Sequence, residues 1–288
     1  MTTLITGGAS KIGSRLAVLL KNAGGNVMFG SRSGRVPDGF KSVKLDWDDS
    51  STFSNPFDDA SIRGTMIENA YLMGPDIPHP QSMIPFIELA VEKGVKRFVY
   101  LSATIADKDN DAGGLGKIHN YLEKKGLDYV VLRPTWFIDN LGDYADDIRK
   151  NVIRSIVPTG KIPFVWSGDI AKVAFDAFSN KSLPFPTRDP LIIGPELLSY
   201  TDVANILSDV LGRKILHTVV SVEEMKATYL ELYGTDEDAE WVVELDRGLE
   251  SGSEEGLEQA PGVIVGKLSL REWVKEHRPI FDGPQISQ

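Results

Sequence analysis

The opening residues do most to limit what this chain can fold into. Thr3-Leu4-Ile5-Thr6 is a short strand pattern that runs into Gly7-Gly8-Ala9-Ser10-Lys11-Ile12-Gly13. From Ile12 onward, Leu16, Leu19 and Leu20 recur at helical spacing. Strand, glycine-rich turn and helix in that order bring backbone N–H groups up to a diphosphate, with the positive end of the helix behind them. The middle glycine of the usual pattern is replaced by Ser10, which can donate to phosphate, cap the helix, or do both. A second strand pattern, Val27-Met28-Phe29-Gly30, ends in Ser31-Arg32. A reader of a ribose 2′-hydroxyl would be Asp or Glu there, whereas a guanidinium suits a 2′-phosphate. Gly7, Gly8, Ser10, Lys11, Ile12, Gly13, Ser31 and Arg32 are therefore expected to hold NADPH or NADP.

The rest of the first half repeats the alternation. Strands are expected at 3–6, 26–30, 42–46, 69–73, 97–101 and 129–132, with helices near 11–23, 81–93 and 115–125. Phe98-Val99-Tyr100-Leu101 is apolar throughout, as a strand covered on both faces should be. Gly24, Gly94 and Gly126 fall where helices end. The fold class is α/β: a doubly wound parallel sheet of the NAD(P)-binding Rossmann kind, with a smaller, mainly helical C-terminal substrate lobe. Residues 1–157 are expected to form the dinucleotide domain, with 168–194 packing back onto it, and 158–167 with 195–288 to form the lobe. Helices are read over 143–157, 168–178 and 200–211, and 221–258 is read as a solvated helical lobe rich in acid.

Composition narrows the function. The 288 residues carry a formal net charge of −10, which disfavours nucleic acid and anionic membranes as partners. There is no cysteine, so thiolate nucleophiles and thiolate metal sites are excluded. No histidine pair has metal-ligand spacing, and no metal is expected. With the first strand starting at the second or third residue and no long apolar run, the expected setting is cytoplasmic. Association as a homodimer is left open.

Several further positions can carry chemistry. Asp46-Trp47 follows the third strand, where a carboxylate can accept from the adenine amino group or simply cap a turn. Met73-Gly74-Pro75 and Ser102-Ala103-Thr104 follow the fourth and fifth strands, whose ends line the crevice of such sheets. Gly74 lets the backbone approach the cofactor, and Gly74-Pro75 is equally an ordinary turn. Tyr121 and Lys125 have the Tyr-x-x-x-Lys spacing of a short-chain dehydrogenase dyad, but Lys125 directly precedes Gly126 at the helix end. Lys117, in the first turn of that helix and on the same face as Tyr121, is the better-placed cation. Lys117 and Tyr121 are the candidate catalytic pair, and Lys117 also a cofactor contact. His119 points elsewhere and reads as a surface histidine. Pro134 closes the sixth strand beside the cofactor. Beyond it Trp136, Phe137 and Asn140, with Trp166 and Thr104, are candidates for the substrate; the aromatic residues can equally be core.

Gly30-Ser31-Arg32, Leu101-Ser102-Ala103, Leu132-Arg133-Pro134-Thr135-Trp136-Phe137, Gly160-Lys161-Ile162-Pro163-Phe164 and Ile193-Gly194-Pro195-Glu196-Leu197-Leu198-Ser199-Tyr200 together give a pattern that resembles the NmrA-like atypical short-chain dehydrogenases. Within them the chain is most similar to the festuclavine and agroclavine dehydrogenases of ergot-alkaloid biosynthesis, through Leu45-Asp46-Trp47 and Gly116-Lys117-Ile118-His119 as well. The likeness runs to about Leu216 and fades in the acidic lobe. It implies an NADPH-dependent reductase acting on a small cationic or neutral heterocyclic imine, in a group that lacks the Tyr-Lys dyad in its usual place. Hydride addition to an iminium gives a neutral amine directly, so such a site needs alignment and a surface that tolerates a cation rather than an acid. On the same scaffold, a quinone or carbonyl reductase and an NADP-binding redox sensor without turnover are the competing expectations.

Overall fold

The computed structural model describes residues 2–59, 66–74, 82–110, 114–180, 182 and 185–282. The chain divides into two units, the first made of residues up to Arg133 with Ser167–Leu191, the second of Pro134–Trp166 with the residues from Ile192 on.

In the first unit β1 (Thr2–Thr6) is buried at every position. It is followed by α1 (Lys11–Asn22), β2 (Asn26–Ser31), β3 (Lys41–Lys44), a single turn α2 (Asn55–Asp58), β4 (Ile67–Leu72), α3 (Met83–Glu92), β5 (Arg97–Leu101), α4 (Leu115–Lys124) and β6 (Asp128–Pro134). These strands lie in the order β3-β2-β1-β4-β5-β6 and pair in parallel. The order reverses between β1 and β4, which opens a crevice at the carboxyl ends of the strands. Strand parity explains the double layer. Leu4, Met28, Ala70, Phe98 and Val131 share one core cluster with Phe86 and Ile87 of α3 and Ile118 and Leu122 of α4. Their neighbours Ile5, Phe29, Tyr71, Val99 and Val130 are equally buried but point to the opposite face. On that face α1 packs with the helix Ser167–Ser179. Gly24, Gly94 and Gly126 take φ values of 80°, 97° and 64° and end their helices as the sequence predicts.

In the second unit, Ile138, Leu141, Ile148, Ile153 and Val157 pack with Val203 and Leu207 of the helix Tyr200–Leu211 and with Trp273 of the helix Leu270–Glu276. A capping box from Ser199 and Asp202 starts the first of these helices, and Gly212 in the left-handed region ends it. A separate cluster joins Met225 and Tyr229 of the helix Val222–Tyr233 to Ala239, Val242 and Val243 of the helix Asp236–Glu250.

Three expectations change. The 143–157 segment is not one helix: Ala145–Arg149 forms a single turn, Asn151 stops it at φ 67°, and Val152–Ser155 becomes a strand. The β-branched Val152 and Ile153 pair in parallel with Leu216 and His217, a partner far along the chain that local periodicity cannot reveal. For the same reason the first boundary falls at 133, not 157: the apolar residues of 138–157 belong to the second core. The 221–258 stretch is helical but not merely solvated. Its acidic composition hides a buried stripe of Met225, Tyr229, Val242, Val243 and Leu249.

Candidate functional site

The glycine turn after β1 is built from backbone geometry. Gly7 and Gly8 have φ values of 88° and 55°, a region that L side chains rarely enter. A Cβ on Gly7 would lie 2.9 Å from Met73 Sδ, and one on Gly8 would lie 2.9 Å from both the Arg35 carbonyl and Ser31 Oγ. Thr6 fixes this arrangement: the Met73 amide donates to Thr6 Oγ1 at 2.8 Å, and the Thr6 hydroxyl faces the carbonyls of Tyr71 and Met73 at 3.2 and 3.1 Å. The ends of β1 and β4 are thus held together under the turn. Ser10 caps α1 by accepting from the Gly13 amide at 3.2 Å. That bond occupies an oxygen lone pair and leaves the hydroxyl proton available, so capping and donation to an anion are compatible. Gly13 is buried, and a Cβ there would lie 2.7 Å from Ser10 Oγ.

The segment after β2 folds onto the same turn. The Arg35 carbonyl accepts from the Ala9 amide at 3.1 Å and from Ser31 Oγ at 3.3 Å. Arg32 and Arg35 are both exposed there, and Lys11 is half-buried at the start of α1. Arg35 was missed in the sequence. Its signal is a second arginine within a Ser-Arg-Ser-Gly-Arg run, but only the fold shows its backbone bonded to the turn.

The other first-unit candidates have mixed placements. Asp46 accepts from the Asp48 amide at 3.3 Å, the turn-capping geometry. Trp47 stands edge-on to Phe53 and Phe86 at 5.9 and 5.3 Å between centroids, on the edge of the core. Met73 and Gly74 follow β4 as expected, while Pro75 lies outside the described residues. Ser102 is buried at the end of β5, and its hydroxyl has no hydrogen-bond partner among the described residues. Ala103 packs on the core and Thr104 is half-buried. The Arg133 guanidinium holds this loop, donating to the carbonyls of Thr104 and Ala106 at 2.8 and 3.0 Å and pairing with Asp189 at 3.4 Å. This gives the arginine of the Leu-Arg-Pro motif a physical task that its sequence position did not disclose.

Lys117 is exposed in the first turn of α4. The Tyr121 phenol donates to Glu88 Oε1 at 2.8 Å, and Lys125 pairs with the same carboxylate at 3.5 Å. Burial and the Glu88 carboxylate push the Tyr121 phenol up to about 12. A phenol that serves as a proton donor near neutral pH needs a shift in the other direction. His119 is a correction: it is buried, edge-on to Tyr129 at 5.7 Å, and desolvation lowers its pKa.

In the second unit Pro134 is buried, and the Trp136 carbonyl accepts from the Val165 amide at 2.9 Å. Trp136 packs against both core clusters of this unit, and Trp166 against the larger one. Phe137 bridges to Val165, and Asn140 begins the next turn by bonding to the Phe137 carbonyl at 3.1 Å. Among the described residues no group of three metal-ligating side chains occurs, and no helix is long and apolar enough to cross a membrane.

No family model matches the chain. Among curated proteins, festuclavine synthase II of Penicillium roqueforti is 43% identical over 225 residues, 75% of this chain and 76% of its own length. Agroclavine dehydrogenase of Claviceps fusiformis is 38% identical over 277 residues, 93% of each chain. Among solved structures, a triphenylmethane reductase of Citrobacter sp. complexed with NADP(H) superposes with a TM-score of 0.71 at 17% identity, covering 96% of this chain and 99% of that one. The NADPH-dependent quinone oxidoreductase QOR2 of Escherichia coli, complexed with NADPH, gives 0.70 at 16% identity with the same coverage. At such identities these two establish the fold.

Proposed function

The chain belongs to the family of festuclavine and agroclavine dehydrogenases, and from that premise we propose that it is an NADPH-dependent reductase that adds hydride to a cyclic imine or iminium of alkaloid type. Family membership makes it an oxidoreductase; the cofactor and the acceptor are the proposal. The cofactor reading is supported by the glycine cradle, by Arg32 with Arg35 beyond β2, and by the NADP(H) named with two structural neighbours. Gly7, Gly8, Ser10, Ile12 and Gly13 would hold the diphosphate through backbone and hydroxyl donors. Lys11, Ser31, Arg32 and Arg35 would hold a 2′-phosphate. When bound, NADPH supplies the hydride.

The observation that carries the acceptor class is the commitment of the Tyr121 phenol to Glu88. A ketone becomes an alkoxide as hydride arrives and needs a proton donor, whereas an iminium becomes a neutral amine and does not. Tyr121→Phe should therefore keep kcat for a preformed cyclic iminium within about twofold of the unmodified chain, the scale of a lost side-chain hydrogen bond remote from reaction. A hundredfold fall at unchanged NADPH affinity would restore the phenol as an acid. Trp136, Phe137, Asn140, Trp166 and Thr104 are proposed for the substrate on the sequence argument.

The deciding experiment is single-turnover oxidation of NADPH with a preformed cyclic iminium and, in parallel, with a quinone. Reduction of the iminium supports the reading. Turnover with the quinone alone makes the chain a quinone reductase, and turnover with neither favours an NADP-binding sensor.

A further inference from the structure

The second unit holds a carboxylate for which the reading above has no use. Asp246, on the helix Asp236–Glu250, is 0% exposed. The Tyr229 phenol donates to its Oδ2 at 2.5 Å. Its Oδ1 is buried and has no hydrogen-bond partner among the described residues. No cation stands against it there either: the groups that feel its charge are the phenols of Tyr229 and Tyr233 on one helix, Tyr200 on another and Tyr144 on the turn before the Ala145–Arg149 helix. Asp143 faces Tyr233 from outside, and Tyr233 is 42% exposed. Trp136, Tyr144 and Trp241 are partly buried against the cluster that contains Tyr229.

An unpaired carboxylate inside a core opposes folding, and an apolar residue of similar size would pack there more cheaply. What it adds is a field. In a low-dielectric surrounding a negative charge reaches further than it does at a wet surface. Here it stands behind aromatic rings whose own faces attract cations. Asp246 is too buried to touch a ligand, so any effect on one would pass through Tyr229, which bonds to it, and through Tyr144 and Trp136, which pack against the same cluster.

We infer that Asp246, through Tyr229 and Tyr144, makes the second unit select a positively charged nitrogen heterocycle over a neutral one of the same shape. The inference rests on the proposed imine-reductase reading and deepens it: the substrate is taken as the iminium cation rather than as the neutral imine.

A consequence is measurable without turnover. Burial pushes the Asp246 carboxyl up to about 7, against the lowering effect of the Tyr229 bond. A cation held near it favours the ionised form, so binding drives the carboxylic acid to carboxylate and passes its proton to the buffer. The probe is N,N-dimethyl-tetrahydro-β-carbolinium, a quaternary cation with no titratable ammonium proton, titrated by calorimetry into the chain saturated with NADP+. Buffers of different ionisation enthalpy report the proton count. The neutral carbon isostere of the probe is the control.

The expected result is proton release at about pH 6.5 that disappears by about pH 8.5, where Asp246 is already ionised. Asp246→Asn should abolish the release and weaken the cation about tenfold, while the neutral isostere changes by less than about twofold. Tyr229→Phe keeps the carboxylate but removes the bond that favours its ionised form, so the release should move to higher pH. No proton release from the unmodified chain, no binding of the cation, or equal losses for the two ligands in Asp246→Asn overturns the inference. Single-turnover reduction is scored separately. A chain that reduces an iminium without releasing a proton on probe binding sinks this inference alone. One that releases the proton but oxidises no NADPH with any iminium sinks the functional reading alone.

Discussion

Arg32→Glu should raise the dissociation constant for NADPH about a hundredfold and change that for NADH by less than about threefold, as measured by fluorescence titration of each reduced cofactor. Arg32 directly follows β2, and on the proposed reading the substitution replaces a guanidinium with a like charge at the 2′-phosphate. NADH lacks that phosphate, so it loses little. Arg35 stays beside the turn, which keeps the loss from being larger. Arg32 is exposed, so the contrast should shrink as salt rises. Equal losses for the two cofactors would mean that Arg32 does not read the phosphate.

The second large effect concerns stability. Gly194→Ala should lower the thermal midpoint by roughly 10 °C, the equivalent of about 3–5 kcal/mol in a chain of this size. A Cβ on Gly194 would sit 1.7 Å from the Phe164 carbonyl oxygen and 2.5 Å from its carbon. Both are backbone atoms, and the Gly194 amide donates to the neighbouring Pro163 carbonyl at 2.8 Å. No side-chain rotation relieves that overlap, so the segments must separate and the hydrogen bond must lengthen. Gly142→Ala is the control. Nothing lies within 4 Å of its added Cβ, and the change should move the midpoint by less than about 2 °C. If the two variants melted alike, the close approach of these segments would be wrong.

Gly194 also shows where sequence reading stops. It stands out in Ile193-Gly194-Pro195, and the motif supports the family resemblance, but nothing local says why glycine is required. The requirement comes from Phe164, thirty residues earlier and in another segment. Arg35 and Arg133 are alike in this respect. The sequence assigns neither a task, and each gains its part from a backbone contact made by the fold, Arg35 to Ala9 and Arg133 to the loop at Thr104. Asp246 was harder still, since one more acid in an acidic stretch gives no signal until its burial is known.

What the chain's order of residues determined by itself was local. The glycine turn, the cap at Ser10, the helix-ending glycines and the apolar strands each follow from the conformational limits of a few consecutive residues, and together they specified the doubly wound sheet. Tertiary structure decided whatever depends on partners distant in the chain. It turned Val152–Ser155 into a strand beside Leu216–Val219, moved the first boundary to 133, committed Tyr121 to Glu88 and buried Asp246 among phenols. The reason is physical: backbone conformation is largely a property of neighbours in sequence, while pairing, desolvation and electrostatic field belong to neighbours in space.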